Sequence, residues 1–153
     1  MKLLGNKSIS KWMEYFLCFL MGIAVILTLT LYWTIPFFTD YHPGQSDGKY
    51  EKYFVVLFAS GVLSLLILWQ ARGIMRIINH GNPFIPDMVR RLRLISLECL
   101  ILAAVYFFSI FFVTRFFMIV VFATFSVVGL ILLVFAELFR QAIEYKEEND
   151  MTI

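Results

Sequence analysis

Cysteine is almost missing from this sequence, and what little there is excludes a disulfide framework. The 153 residues contain two cysteines, Cys18 and Cys99, each inside an apolar run. That rules out a stapled secreted scaffold and leaves no metal-ligand spacing. Apolar surroundings make both thiols inert small hydrophobes, although both fall in the inner third of their runs and so come near one another in depth. A glycine-rich phosphate loop, a nucleophile elbow and a zinc-protease helix are all lacking. Net charge is small as well. A formal +2 is too little to make nucleic acid the direct partner of the whole chain. These absences point away from an enzyme and call for no cofactor and no metal.

Apolar and aromatic side chains are abundant. The chain is 61% hydrophobic and 18% aromatic, with 17 Phe, 7 Tyr and 3 Trp. A soluble domain of this length sits nearer half apolar and could not hide so many rings in one core. Lipid can. Four continuous apolar runs are long enough to cross about 30 Å of hydrocarbon, and none alternates as a membrane strand would. They cover about residues 12–35, 53–78, 94–113 and 116–139. The expected fold is all-α: one integral membrane four-helix bundle over residues 1–153, made of two antiparallel hairpins. A cytoplasmic loop at about 79–93 and a cytoplasmic tail at about 140–153 complete it. The first run follows a basic leader, Lys2, Lys7 and Lys11, as a signal peptide would. It is too long for an h-region and no small-residue cleavage site follows, so it reads as a retained span, stopped by Pro36.

Orientation follows from lysine and arginine, which resist translocation. With the N-terminus inside, ten of the 13 lie inside; only Lys49, Lys52 and Arg115 lie outside. Both termini are therefore expected in the cytoplasm. His42 and His80 then fall on opposite sides, which excludes a His-based acid–base pair. The outer loop carries turn residues His42 to Gly48 between Trp33, Tyr41 and Tyr50, aromatics suited to the headgroup boundary. Its Asp40, His42, Asp47 and Glu51 match no metal pattern and read as solvated.

Two groups of residues are candidates for function. In the central loop, Arg72, Arg76 and His80 recur every four residues and share one helix face. Gly81 is placed to end that helix, Asn82-Pro83 prevents its resumption, and Pro86 with Asp87 suits the start of a new one. Phe84, Arg90, Arg91 and Arg93 complete this corner. Its arginines suit anionic lipid headgroups, worth about 1 kcal/mol each near an anionic leaflet, or a cytoplasmic protein partner. The second group is an intramembrane ion pair among Glu98, Glu137 and Arg140. Glu98 lies roughly 7 Å deeper than Arg93. A charge at a span centre costs about 2.5–3.5 kcal/mol, so Glu98 is expected to face inward toward Arg140, Arg76 or Arg93. Such a pair serves either proton or cation handling or the plain purpose of fixing span three to span four. Small residues mark the faces that meet: Ser60, Gly61 and Ser64; Ser96, Cys99 and Ala103; Ala123, Ser126 and Gly129. They serve the bundle or a homo-oligomer. The acidic tail either folds back on the basic loop or stays solvated, and its helix is expected to fray near Asn149.

Gly81-Asn82-Pro83-Phe84 with Arg91-Leu92-Arg93, and Glu137-Leu138-Phe139-Arg140 with the tail Lys146 to Ile153, resemble the opening and closing signatures of the YoaS-like bacterial membrane proteins, domain of unknown function 2975. The sequence departs from the pattern at Gln141 and Ala142, where a basic residue and a glycine often stand. The resemblance implies four spans in a bacterial plasma membrane and no reaction, and it suggests a link to a small helix-turn-helix regulator. The leading expectation is a regulatory or interaction protein that docks a cytoplasmic partner through the central loop and tail. The alternative is a small transporter, channel component or immunity protein built around Glu98 and Glu137.

Overall fold

The computed structural model describes residues 9–39, 42–44, 48–81, 83–112 and 116–151. Lys2, Lys7, Asp40, Tyr41, Asp47, Asn82, Arg115 and Ile153, all named above, lie outside the described residues. The described chain forms five helices: α1 (Ile9–Leu29), α2 (Leu31–Phe38), α3 (Lys49–Asn79), α4 (Pro86–Ser109) and α5 (Phe116–Met151). Four of them, all but α2, are long and apolar enough to cross a membrane. Their outward faces explain the composition. Phe16, Phe19, Val55, Leu97, Phe108, Leu130 and Val134 are exposed although strongly apolar, as lipid-facing side chains are.

The first apolar run does not stop at Pro36. It breaks at Thr30 and resumes as α2, which carries Pro36 in its interior. Thr28, Thr30 and Thr34 each turn their hydroxyls back onto the carbonyl four residues earlier, at 2.7–2.8 Å, a pattern that bends helices. Pro36 has no N–H for the Tyr32 carbonyl, yet that carbonyl is not orphaned. The Tyr50 hydroxyl at the start of α3 donates to it at 3.1 Å, and Tyr50 is buried there. This bond ties α2 to α3.

The best-packed pair is α4 with α5. Buried or half-buried positions on α4 run Met88, Leu92, Ile95, Cys99, Leu102, Tyr106 and Ser109. On α5 they run Met118, Phe122, Phe125, Gly129, Leu132, Ala136, Phe139 and Ile143. Both step four, three, four, three, the seam of an antiparallel coiled coil. Ser96, on the same side of α4, donates its hydroxyl to the Gly129 carbonyl at 2.8 Å. A methyl group at Gly129 would lie 2.9 Å from Leu100 and 3.3 Å from the Ser96 carbonyl oxygen, so glycine permits this approach. Of the small residues expected on α5, Ala123 instead faces outward.

α3 contributes Leu63, Ile67, Ala71, Ile74 and Ile78 to the same core. At its N-terminal end the Lys52 ammonium sits 5.7 Å from the Phe112 ring centroid, a cation–π contact. α1 packs on α3 and touches neither α4 nor α5 among the described residues. The bundle is thus open on one side, with a three-helix core and a first span laid against α3. Cys18 and Cys99, on α1 and α4, are both free. Between α3 and α4 Gly81 takes φ +83°, the left-handed conformation that ends a helix, and Pro86 opens α4. α5 does not fray near Asn149; it continues to Met151. Glu144, Lys146, Glu147, Glu148 and Met151, all good helix formers, outnumber Tyr145, Asn149 and Asp150 in its last turns.

Candidate functional site

Two polar systems lie at the ends of the spans where α3 meets α4. The first is a clamp between α1, α3 and α4. Glu14 on α1 accepts from Arg76 Nε at 3.2 Å and from Asn79 Nδ2 at 3.1 Å, and its carboxylate lies 3.8 Å from Arg72 Nε. No reading of the sequence gave Glu14 a role. The signal was the same as at Glu98: a lone carboxylate inside an apolar helix must find a partner. On the other flank Arg91 of α4 donates Nε to Asp87 at 3.0 Å and Nη1 to Gln70 of α3 at 3.1 Å. Its guanidinium lies over Gly73, where any Cβ would collide with it. His80 Nδ1 donates to the Arg76 carbonyl at 2.7 Å, since a carbonyl can only accept. That bond satisfies a helix C-terminus.

Between these groups a cavity of about 400 Å³ opens, lined by Trp69, Arg72, Gly73, Arg76, His80 and Arg91 among others. Arg72 Nε is buried beside it without a hydrogen-bond partner among the described residues. Arg72, Arg76 and His80 therefore share a face, and Arg91 joins them from the neighbouring helix. Arg90 and Arg93 do not. They lie on the opposite flank of α4, in a shallow crevice with Pro86 and Leu97.

The second system joins α4 to α5. Arg93 Nη2 reaches Glu137 at 3.3 Å, and Arg140 donates to the same carboxylate from Nε at 3.0 Å and from Nη2 at 2.5 Å. Arg140 also pairs with Glu144 at 2.6 Å. Glu137 first, then Glu144, raises the Arg140 guanidinium above its ordinary value. Phe84 from the loop lies against Phe139, ring centroids 5.9 Å apart. Glu137 and Arg140 are thus brought together, and Glu98 is not. The expectation that Arg140, Arg76 or Arg93 reaches Glu98 is overturned. Five residues along a helix are roughly 140° around it, so Glu98 cannot share the face of Arg93, and Arg76 is turned toward Glu14. Glu98 lies on the α3-facing side of α4, seven residues past Arg91 and roughly 10 Å deeper. Its Oε2 is buried with no hydrogen-bond partner among the described residues.

The family described as "Protein of unknown function (DUF2975)" matches residues 10–153. The chain belongs to this family. The DUF2975 match runs from the start of α1 through all four spans and the helical tail. No curated protein and no solved structure matches the chain. For this DUF2975 protein the family name supplies no activity, so function rests on the geometry of the two polar systems. The four apolar helices make it a multi-pass membrane protein.

Proposed function

We propose that the protein is a non-catalytic regulatory or interaction protein of the bacterial plasma membrane, with both termini cytoplasmic, that docks a cytoplasmic protein on its loop and tail. The observation that carries the reading is the continuation of α5. The helix does not end with its apolar span but runs on to Met151. Ile143 is buried in that extension and lines one crevice with Pro86 and Val89 of α4. The tail therefore neither folds back over the loop nor drifts free; it stands alongside the start of α4. A pre-ordered platform costs less ordering entropy on binding than a solvated tail. Its outer surface presents Glu144, Tyr145, Glu147 and Glu148, all exposed, beside exposed Arg90 and Phe84. The acidic ladder suits a basic partner, and a small helix-turn-helix regulator, the kind of partner the YoaS-like resemblance suggests, has that chemistry.

The test is cross-linked capture from detergent extracts. Glu147→Lys combined with Arg90→Glu should abolish recovery of the partner while the helical content is kept. Equal recovery with this variant and the unmodified chain would sink the docking surface. Arg91 is unsuitable for such a test, because Asp87, Gln70 and Gly73 hold it against α3.

A second reading, transport or proton coupling, is favoured by one observation, the buried Oε2 of Glu98, which has no hydrogen-bond partner among the described residues. It rests on Glu98 alone, since Glu137 is already engaged by two arginines. Reconstituted vesicles separate the readings: under coupling, Glu98→Gln abolishes proton or cation flux and leaves partner capture intact.

A further inference from the structure

We infer that the cavity beneath Arg72, Arg76 and Arg91 is a binding site for a phosphate group, carried by an anionic phospholipid headgroup of the adjoining leaflet. The inference is independent of the docking surface, which lies on the other flank of α4. Four features support it.

The first is charge. Three guanidinium groups border the cavity, while the carboxylates engaged with them are Glu14 and Asp87. Three guanidinium charges minus two carboxylates leave one positive charge, enough to favour an anion over a neutral or cationic guest. The second is donor capacity. A guanidinium carries five N–H donors in a rigid fork that matches phosphate oxygens. Arg76 uses Nε on Glu14, Arg91 uses Nε and Nη1 on Asp87 and Gln70, and the buried Nε of Arg72, 3.8 Å from Glu14, has no hydrogen-bond acceptor among the described residues. A buried donor left unsatisfied is costly, and a phosphate oxygen seated in the cavity satisfies it.

The third feature is depth. Trp69 is exposed at the cavity rim, where indoles mark the membrane–water boundary. Arg72 and Arg76 follow it by three and seven residues, roughly 5 and 10 Å along the helix. The polar layer on each side of a bilayer is roughly 5–7 Å thick, so Arg72 stands at headgroup level and Arg76 just beyond it, its long side chain tilted back along the helix toward that level. The fourth is shape. About 400 Å³ falls at the small end of ordinary ligand sites, suited to a headgroup rather than an acyl chain. Gly73 is part of that shape, because only a residue without Cβ lets the Arg91 guanidinium lie where it does.

The experiment uses the full chain in mild detergent with Trp12 and Trp33 changed to Phe, leaving Trp69 as the only fluorophore of its kind. Short-chain phosphatidylglycerol, short-chain phosphatidylcholine and inorganic phosphate are titrated separately. Expected is a saturable change in Trp69 emission with phosphatidylglycerol, and none with phosphatidylcholine, whose choline cation meets the arginines. Arg72→Gln should weaken the response about tenfold or more, the effect of losing a charge-assisted bond. Gly73→Ala should weaken it too while keeping every charge. That substitution displaces only the flexible end of Arg91, so the fold survives it, and unchanged helical circular dichroism checks this. Lys52→Gln, at the far end of α3, should leave the response unchanged. A response to inorganic phosphate and none to the lipid overturns the lipid source. No saturable response to either phosphate, or full affinity in both cavity variants, overturns the site.

Discussion

Alanine placed at Gly129 and at Gly22 should change stability in opposite directions, although both glycines sit inside membrane-spanning helices. At either position alanine removes the conformational freedom of glycine, which favours the helix by about 0.5–1 kcal/mol. The neighbours then decide the sign. At Gly22 a Cβ has nothing within 4 Å, so the gain stands alone. At Gly129 the same Cβ lies 2.9 Å from both Cγ and Cδ2 of Leu100 and 3.3 Å from the backbone oxygen of Ser96. Leu100 can yield in part; the backbone cannot without parting α4 from α5. Overpacking of this kind costs about 1–3 kcal/mol. Separation also lengthens the Ser96 bond, now 2.8 Å, and interhelical bonds in membranes are worth about 0.6 kcal/mol. The net for Gly129→Ala is a loss of about 1–2 kcal/mol, against a gain of up to about 1 kcal/mol for Gly22→Ala. Equilibrium unfolding in mixed micelles, followed by tryptophan fluorescence, measures both. Leu100→Ala should relieve part of the Gly129→Ala penalty, because Leu100 supplies two of the three close contacts. If Gly129→Ala stabilises as much as Gly22→Ala, the α4–α5 seam is not the close-packed one described.

Tyr50→Phe should cost about 1 kcal/mol, the typical worth of a hydrogen bond, because it removes the donor that replaces the missing N–H of Pro36 at the Tyr32 carbonyl. In a Pro36→Ala background the same change should cost much less, and a double-mutant cycle on unfolding measures the coupling. Arg93→Gln should leave the unfolding midpoint unchanged within error, since Arg140 continues to hold the half-exposed Glu137; a clear loss would mean that the α4–α5 pair depends on Arg93.

How much of this was legible in the sequence depended on the kind of signal. Hydrocarbon demands runs of apolar residues, so four helices could be read from hydropathy alone, and Gly81 and Pro86 marked their boundaries by backbone chemistry. Glu14 was missed because its partners, Arg76 and Asn79, lie 62 and 65 residues away, and only tertiary packing brings them together. Pro36 misled for a related reason. Proline ends a helix when its freed carbonyl stays unsatisfied, and the satisfying hydroxyl comes from Tyr50, 18 residues beyond Tyr32. The ion pair at the α4–α5 rim was half legible: the i,i+3 spacing joins Glu137 to Arg140, while helical rotation places Glu98 on another face. The cavity was harder still. Arg72, Arg76 and His80 read correctly as one stripe, but Arg91 joins them only because Gly73 makes room across the helix pair.

The clamp and the cavity share their arginines, and this yields a prediction with two opposed signs. Glu14 holds α1 to α3 through Arg76 and Asn79 and lies close to Arg72. No residue of the α1 span is buried among the described residues, and Thr28 makes another close approach to α3 at Gly61. Glu14→Gln should therefore loosen α1. The same substitution removes the carboxylate that competes with a phosphate for Arg72 and Arg76, so anion affinity should rise. An exposed ion pair contributes about 0.2–1 kcal/mol, and Arg76 is 58% exposed, which limits the gain to about fivefold at most. By linkage, an anion in the cavity should in turn weaken the hold on α1 by the same factor. A disulfide formed between cysteines substituted at Thr28 and Gly61 reports α1 docking, and Trp69 emission reports the anion. Looser α1 with tighter anion binding supports one shared set of donors; if Glu14→Gln weakens both, Glu14 shapes the cavity rather than competing for it.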